Sequence, residues 1–248
     1  MTGKETTGIY DLSEYDKIRE DSLAKLFDVE SNQTQKIIKS VRDGPIEEHI
    51  QNCRSQMEEK PYSLGGANLG GETAHVLTHL IKPNAILEIG VANGVSTAYI
   101  LGALEELELE PDIRAIDKPL FESDVREKRG ERGIEGVGGI IPNGAEAGWV
   151  VPMEWRADYG YQYYVADFTE ILPRVIRSMP KLDLVIYDAS KDASEMIMAY
   201  ETIIQSLSSN GVLISDDICV NNSFEKVTDG YEGETVKFGG IGIYKNTV

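Results

Sequence analysis

The sequence is poor in cysteine: only Cys53 and Cys219 occur, far apart and in no CxxC pair. That spacing argues against a disulfide framework or a cysteine-built zinc site, and both read as buried thiols. No run approaches the roughly 20 apolar residues that a membrane span needs, so no membrane partner is expected. Positive charge is also scarce: 24 Lys and Arg stand against 42 Asp and Glu, for a formal net charge of −18. A phosphate backbone would be repelled, so nucleic acid is not expected as a partner and a small-molecule substrate is. Met1 to Tyr10 is polar and lacks the apolar stretch of an export signal, which makes a cytoplasmic location the expectation. No internal repeat is visible.

What is present suits one folded domain. With 248 residues, 41% hydrophobic and 27% charged, the chain can bury a single substantial core. From about Ser13 to Lys60, apolar residues recur at helical spacing (Leu23, Leu26 and Phe27, then Ile37, Ile38 and Val41), which predicts two or three helices. This N-terminal extension, residues 1–64, is expected to cap the active site or to form a contact in a homodimer. Gly65, Gly66, Gly70 and Gly71 then suggest a flexible loop before a helix from about Glu72 to Ile81, ended by Pro83 and Asn84.

Beyond it, short apolar runs alternate with amphipathic segments, the pattern of βαβ units. The expected fold is α/β: a Rossmann-like, doubly wound, mostly parallel sheet with helices on both faces and an antiparallel C-terminal strand, over residues 65–248. Strands are expected at Ala85–Ile89, Ile113–Ile116, Tyr161–Val165, Leu182–Tyr187 and Val212–Ser215, with a last strand or hairpin near Val236–Tyr244. A Gly-rich stretch, Gly130 to Gly148, leads into Trp149 and Trp155 and lies in an insertion spanning about 118–156. Its length and aromatic content suggest a lid.

The strongest motif is Ile86-Leu-Glu-Ile-Gly-Val-Ala-Asn-Gly94-Val-Ser-Thr, an apolar strand running into a Gly-x-x-x-Gly turn that opens a helix. In an open parallel sheet such a turn lies at the carboxyl edge, where ligands bind. Gly90 and Gly94 let the backbone approach a ligand closely, and the helix N-terminus beyond suits a carboxylate. The spacing is not that of the dinucleotide fingerprint GxGxxG. Asp117 follows Gly94 by 23 residues at the end of the second strand. That is near the roughly 20-residue spacing at which an acid reaches a ribose diol in such folds. Asp167, at the end of the third strand, is placed to meet an adenine amino group while Phe168 lines the ring face; an Asp at such a junction also serves as a helix N-cap.

At the next strand ends stand Asp188 and Lys191, in Asp-Ala-Ser-Lys, then Asp216 and Asp217, in Ser-Asp-Asp. A long helix is expected between them, closing at Asn210-Gly211. Three carboxylates brought to one edge repel one another unless a cation or protons neutralise them, and a hard divalent ion such as Mg²⁺ would do so.

The Glu88-x-Gly90-x-x-x-Gly94 motif resembles motif I of class I S-adenosylmethionine (SAM)-dependent methyltransferases. The resemblance implies SAM as cofactor, held by Glu88, Gly90, Ala92, Gly94, Ser96, Asp117, Asp167 and Phe168. The later segments resemble metal-dependent O-methyltransferases related to catechol O-methyltransferase. That likeness implies Asp188, Asp216 and Asp217 as metal ligands, with Lys191 and Asp188 catalytic at an acceptor hydroxyl. A poorly characterised methyltransferase subfamily is closer still, through Gly148-Trp-Val-Val-Pro152 with Trp155-Arg156, Gly211 to Asp217, and Asn221-Asn-Ser-Phe224. That subfamily often carries His where this chain has Lys191. The alternatives are a metal-independent methyltransferase acting on another acceptor, or a SAM-binding protein without catalysis. The Asn/Asp-Pro-Pro-Tyr motif of nucleobase amino methylation is absent after Tyr187.

Three other signals are read as structural. His75 and His79 lie four apart on a predicted helix with Glu72 on the same side, a conceivable zinc pair lacking a visible third ligand. Arg126, Lys128, Arg129 and Arg132, interleaved with Glu127 and Glu131, read as a solvated, salt-bridged face. Trp149 and Trp155 read equally as ligand cover or as core.

Overall fold

A computed structural model describes residues 12–65, 68–135 and 137–248. Gly66 and Met1 to Tyr10, which figure in the expectations above, lie outside the described residues.

Three helices come first: α1 (Leu12–Phe27), α2 (Ser31–Arg42) and α3 (Pro45–Ser55). They are followed by α4 (Asn68–Ile81), β1 (Ala85–Ile89), α5 (Val95–Leu107), β2 (Asp112–Asp117), α6 (Glu122–Arg129), α7 (Met153–Asp158) and β3 (Gln162–Val165). The chain closes with α8 (Phe168–Arg177), β4 (Leu182–Tyr187), α9 (Ala193–Ile204), β5 (Leu207–Ser215), α10 (Ser223–Thr228), β6 (Gly233–Phe238) and β7 (Ile241–Asn246).

The strands form one seven-stranded sheet in the order β3-β2-β1-β4-β5-β7-β6. β1 to β5 pair in parallel, and β7 runs antiparallel to both β5 and β6. β1 is central and buried along its whole length, which explains why four of its five residues are apolar and why the fifth, Glu88, is buried too. Chain order reverses between β1 and β4, so the switch point lies where motif I meets Asp188.

The structure differs from the sequence expectation in four places. Gly70 and Gly71 are helical, in α4 rather than in a loop; a Cβ on Gly71 would stand 2.1 Å from the Tyr99 ring, so the glycine serves a close α4–α5 crossing. The helix before the fifth strand stops at Ile204 instead of Asn210-Gly211. β5 begins at Leu207 because that residue pairs with Leu182, and Asn210, at φ +65°, and Gly211 take up the register shift that follows. The Gly-rich insertion is anchored, since Ile134, Ile140, Ile141, Val150 and Val151 are buried in the main core. Cys53 is buried as expected, but Cys219 is exposed.

The N-terminal helices are fastened by charge. Arg19, fully buried, donates to Asp16 at 3.0 Å and Glu72 at 2.9 Å, while Arg42 reaches the same two carboxylates at 2.6 and 2.8 Å. This network joins α1, α2 and α4. In the insertion, buried Glu122 accepts from Tyr62 Oη at 2.7 Å, Arg126 and the Asn143 amide. Among the described residues no helix is long and apolar enough to cross a membrane.

Candidate active site

The β1–α5 turn is tight on both sides. Gly90, at φ +91°, lies so close to the end of β4 that a Cβ would stand 1.9 Å from the Asp188 carbonyl oxygen. Gly94, at φ +90°, precedes α5 without a side-chain cap and faces Gly148, whose Cα would be 2.8 Å from an added Cβ. The first N–H groups of α5 therefore have no capping side chain. Ala92 is also left-handed, at φ +49°.

The insertion clamps this turn. Gly148 N donates to Ala92 O at 2.8 Å, Val150 N to Asn93 O at 3.0 Å, and Trp149 Nε1 to Asn93 Oδ1 at 2.6 Å. Asn93 in turn donates to Leu64 O and Ile140 O. Trp149 thus holds the motif I loop, and both Trp149 and Trp155 pack on the core. Asn93 is a positioning residue that pattern reading missed, because a variable position of the motif gives no signal until the insertion folds onto it.

Glu88 and Ser96, both expected at the cofactor, are hydrogen-bonded to each other. The Glu88 carboxylate is fully buried and accepts from Ser96 Oγ at 2.5 Å and Thr97 Oγ1 at 2.6 Å, so both residues brace the turn from beneath. Burial pushes the Glu88 pKa up to about 7. A carboxyl with its folded pKa raised from 4.5 contributes stability that is complete below pH 4.5 and lost as pH rises through 7. Glu88→Gln is expected to flatten this loss, gaining about 2 kcal/mol relative to the parent between pH 5 and 8. Parallel pH–Tm curves for the two proteins would contradict it.

A cavity of about 220 Å³ opens at the carboxyl edge, lined by residues that include Gly90, Asp117, Asp167, Phe168, Ala189 and Ser190. Asp117 accepts from the Ala92 amide at 3.0 Å and Tyr163 Oη at 3.2 Å, and burial raises its pKa. Phe168 is buried, edge-on to Tyr187. Asp167 is the N-cap of α8: its Oδ1 accepts from Thr169 N and Oγ1, and its Oδ2 from Lys118 at 3.1 Å. The carboxylate thus serves the helix start while also lining the cavity.

Next to the cavity, Lys191 Nζ lies 2.8 Å from Asp188 Oδ1 and 3.3 Å from Asp217 Oδ2. Burial works to lower the Lys191 pKa, but the two carboxylates outweigh it and hold it above its ordinary value. The ammonium is thus the counter-ion of this edge. Burial, and then the charge of Asp188, raise the Asp216 pKa. Asp217, at φ +56°, holds strained backbone, its amide donating to Asp216 Oδ1 at 2.8 Å. Asn221 Nδ2 donates to Lys191 O and fixes the loop.

The N-terminal helices reach this edge. Tyr15 lies against Gly239, where a Cβ would meet its ring at 2.6 Å, and edge-on to Phe238. Burial raises its pKa to about 12, with the Asp216 charge adding to the shift. Gly70 of α4 faces Asp216 Oδ2, 3.9 Å from its ideal Cβ. Neither was legible in the sequence, since helix periodicity does not say which end of a sheet a helix crosses.

His75 and His79 do not meet Glu72, which is turned to Arg19 and Arg42; their carboxylate neighbour is Glu106 of α5. Arg126 is paired with the buried Glu122.

A glycine turn at the switch point, an acid at the end of β2 and a ligand-sized cavity between them define a class I SAM-dependent methyltransferase. Residues 87–218, more than half of the chain, match the family profile described as "Methyltransferase domain", and the chain belongs to that family. Among curated proteins no sequence matches. Solved structures share the fold at low identity. The O-methyltransferase TomG of Streptomyces achromogenes, involved in tomaymycin synthesis and solved with SAM, is 17% identical with a TM-score of 0.52, over 82% of this chain and 89% of that one. An O-methyltransferase of Bacillus cereus, in complex with S-adenosylhomocysteine (SAH), is 13% identical with a TM-score of 0.50, over 85% and 97%. A methyltransferase of Geobacter sulfurreducens is 12% identical with a TM-score of 0.50, over 83% and 89%.

Proposed function

We propose that the protein transfers the methyl group of SAM to a hydroxyl oxygen of a small molecule, assisted by a divalent cation. The observation that carries this reading is the adjacency of the Gly90–Asp117–Phe168 cavity to the Asp188–Lys191–Asp217 cluster. SAM-type geometry is supported by Gly90 and Gly94, where no side chain would fit. In this reading Asp117 binds the ribose diol, Phe168 and Ala166 line the adenine, and the start of α5 receives the methionine carboxylate. Oxygen acceptors are favoured by the name of the Streptomyces neighbour and by the acidic edge.

SAM supplies an activated methyl electrophile, so the protein's task is to align the acceptor and exclude water. Asp188, Asp216 and Asp217 are hard oxygen donors of the type Mg²⁺ takes, but with Lys191 Nζ between Asp188 and Asp217 they are not drawn together as a ligand set; a cation that drew them together would lower the acceptor hydroxyl's pKa. Lys191 occupies the same charge-balancing role, so a cation would have to compete with the ammonium for Asp188 and Asp217. A cation that displaced Lys191 from these carboxylates would remove the interactions that hold its pKa up; the ammonium would then give its proton to solvent and, as the neutral amine, accept the hydroxyl proton. The acceptor is expected to enter beside Tyr15 and Gly70, which border Asp216.

Labelled SAM incubated with a panel of phenols, catechols and aliphatic alcohols tests this reading. Turnover is expected to vanish with chelator and return with Mg²⁺, and Lys191→Met is expected to bind SAM normally but turn over at least about 100-fold more slowly. Turnover indifferent to chelator would instead support the metal-free alternative, which the two ion pairs of Lys191 favour.

A further inference from the structure

The far ends of α4 and α5 carry a second cluster, which the methyl-transfer edge does not use. His75 and His79 project one turn apart from α4, and Glu106 comes from α5. Their potential ligand atoms all lie within 4.8 Å of one another, and they are the group among the described residues gathered closely enough to hold an ion. Ser96, beside the cofactor turn, precedes Glu106 by ten positions on the same helix, about 15 Å at 1.5 Å rise per residue.

The state of His75 is informative. Its ring is fully buried, and Nδ1 lies 3.0 Å from the Tyr99 carbonyl oxygen. A carbonyl only accepts, so Nδ1 carries a proton, and Nε2 is the atom left to face the cluster. That Nε2 is buried without a hydrogen-bond partner, and what lies near it is Glu106 Oε2, 3.5 Å away. Nε2 and a carboxylate oxygen facing each other across such a gap are held together by a cation between them, a proton or a metal ion. His79 Nε2 lies 3.0 Å from the same oxygen. Ligand atoms on a tetrahedral ion with bonds of about 2.0–2.1 Å stand about 3.4 Å apart, so these two edges are already near the required lengths. A backbone carbonyl that fixes the tautomer of a ligating histidine is the usual outer support of such a centre.

We propose that His75, His79 and Glu106 form a zinc site that pins the end of α4 to α5, separate from the methyl-transfer edge. Two imidazole nitrogens and one carboxylate oxygen are a borderline donor set that selects Zn²⁺ over Mg²⁺, and three protein ligands leave the fourth position to water. Glu106 and His79 are partly exposed, which gives the ion a path in. The bound ion would tighten the helix pair around the Gly71–Tyr99 crossing.

Zn²⁺ titration of the full chain, followed by calorimetry and by imidazole ¹⁵N NMR, decides the matter, because the chain has only 3 histidines. One equivalent is expected to bind with a Kd of about 1 µM or below, shifting the His75 and His79 signals but not His49, which contacts Val150 O. A Tm rise on the order of 5 °C is expected at a hundredfold excess over Kd. Glu106→Gln and His79→Gln, at partly exposed positions, should each weaken binding at least about tenfold, whereas Asp217→Asn should not. Binding weaker than about 100 µM, binding retained in both ligand variants, or a protonated His75 that Zn²⁺ does not displace would overturn the site.

Discussion

Asp117→Ala is expected to weaken SAM binding about 100-fold while leaving the Tm of the ligand-free protein within about 3 °C of the parent. The carboxylate ends β2 inside the cavity, and its contacts with Ala92 N and Tyr163 Oη take up two of its roughly four lone-pair positions. Both contacts fall on Oδ2, and the Val91 and Lys118 amides also stabilise the carboxylate, so a vicinal diol would share it with them. Hydrogen bonds to a charged acceptor contribute about 1.5–3 kcal/mol each, so losing a pair, partly compensated by water, corresponds to about 3 kcal/mol. Folding energetics move little because two effects oppose each other: the variant removes a carboxylate whose pKa burial has raised, but it orphans the Ala92 amide. The raised pKa also sets a sign. As pH falls through it the carboxylate protonates, so SAM affinity should decline on the acid side in the parent and not in the variant. Calorimetric titration with SAM and with SAH checks both statements; an affinity within threefold of the parent would remove Asp117 from the ribose site.

Glu72→Ala should lower Tm by roughly 10 °C, a loss of about 3–5 kcal/mol. Arg19 has no exposure to solvent, and its Nε and Nη1 already lack partners. Its charge is balanced through Nη2 by Asp16 and by Glu72, which is itself buried. Removing Glu72 leaves the buried guanidinium with Asp16 alone, and Arg42 loses one of its two carboxylates. Breaking one member of a buried ionic network costs far more than the network gains over an apolar replacement, so Arg19→Leu added to Glu72→Leu should recover part of the loss relative to Glu72→Leu. Differential scanning calorimetry of the three variants measures this, and a fall below about 3 °C for Glu72→Ala would mean that solvent reaches the network.

The α/β frame was legible because its signals are local. Ala85–Ile89 is apolar but for Glu88 because β1 is buried on both faces, and Leu182–Tyr187, apolar but for Asp183, carries the same mark at β4. The Gly90–Gly94 turn is equally local, being a requirement on backbone angle and on space that only glycine meets. The less legible parts depended on partners distant in sequence. Gly70 and Gly71 read as a loop because a lone sequence cannot show the Tyr99 ring that makes glycine necessary inside a helix. Asn210-Gly211 read as a helix end because the pairing of Leu207 with Leu182 comes from another strand.

The site divides in the same way. The sequence by itself determined which residues stand at strand ends, and hence that Asp117, Asp167, Asp188, Asp216 and Asp217 gather at one edge, since strand polarity fixes that outcome. Only the tertiary structure decided what each does there. Glu88 and Ser96 face each other beneath the turn, Asp167 caps α8, and Lys191 lies between Asp188 and Asp217 as their counter-ion. It was also the packing of α5 on α4 that exchanged Glu72 for Glu106 beside the two histidines. The reason is physical: backbone periodicity is set by neighbours three or four residues away, whereas the charge state and hydrogen-bond partner of a side chain are set by whatever the fold brings within a few ångströms of it.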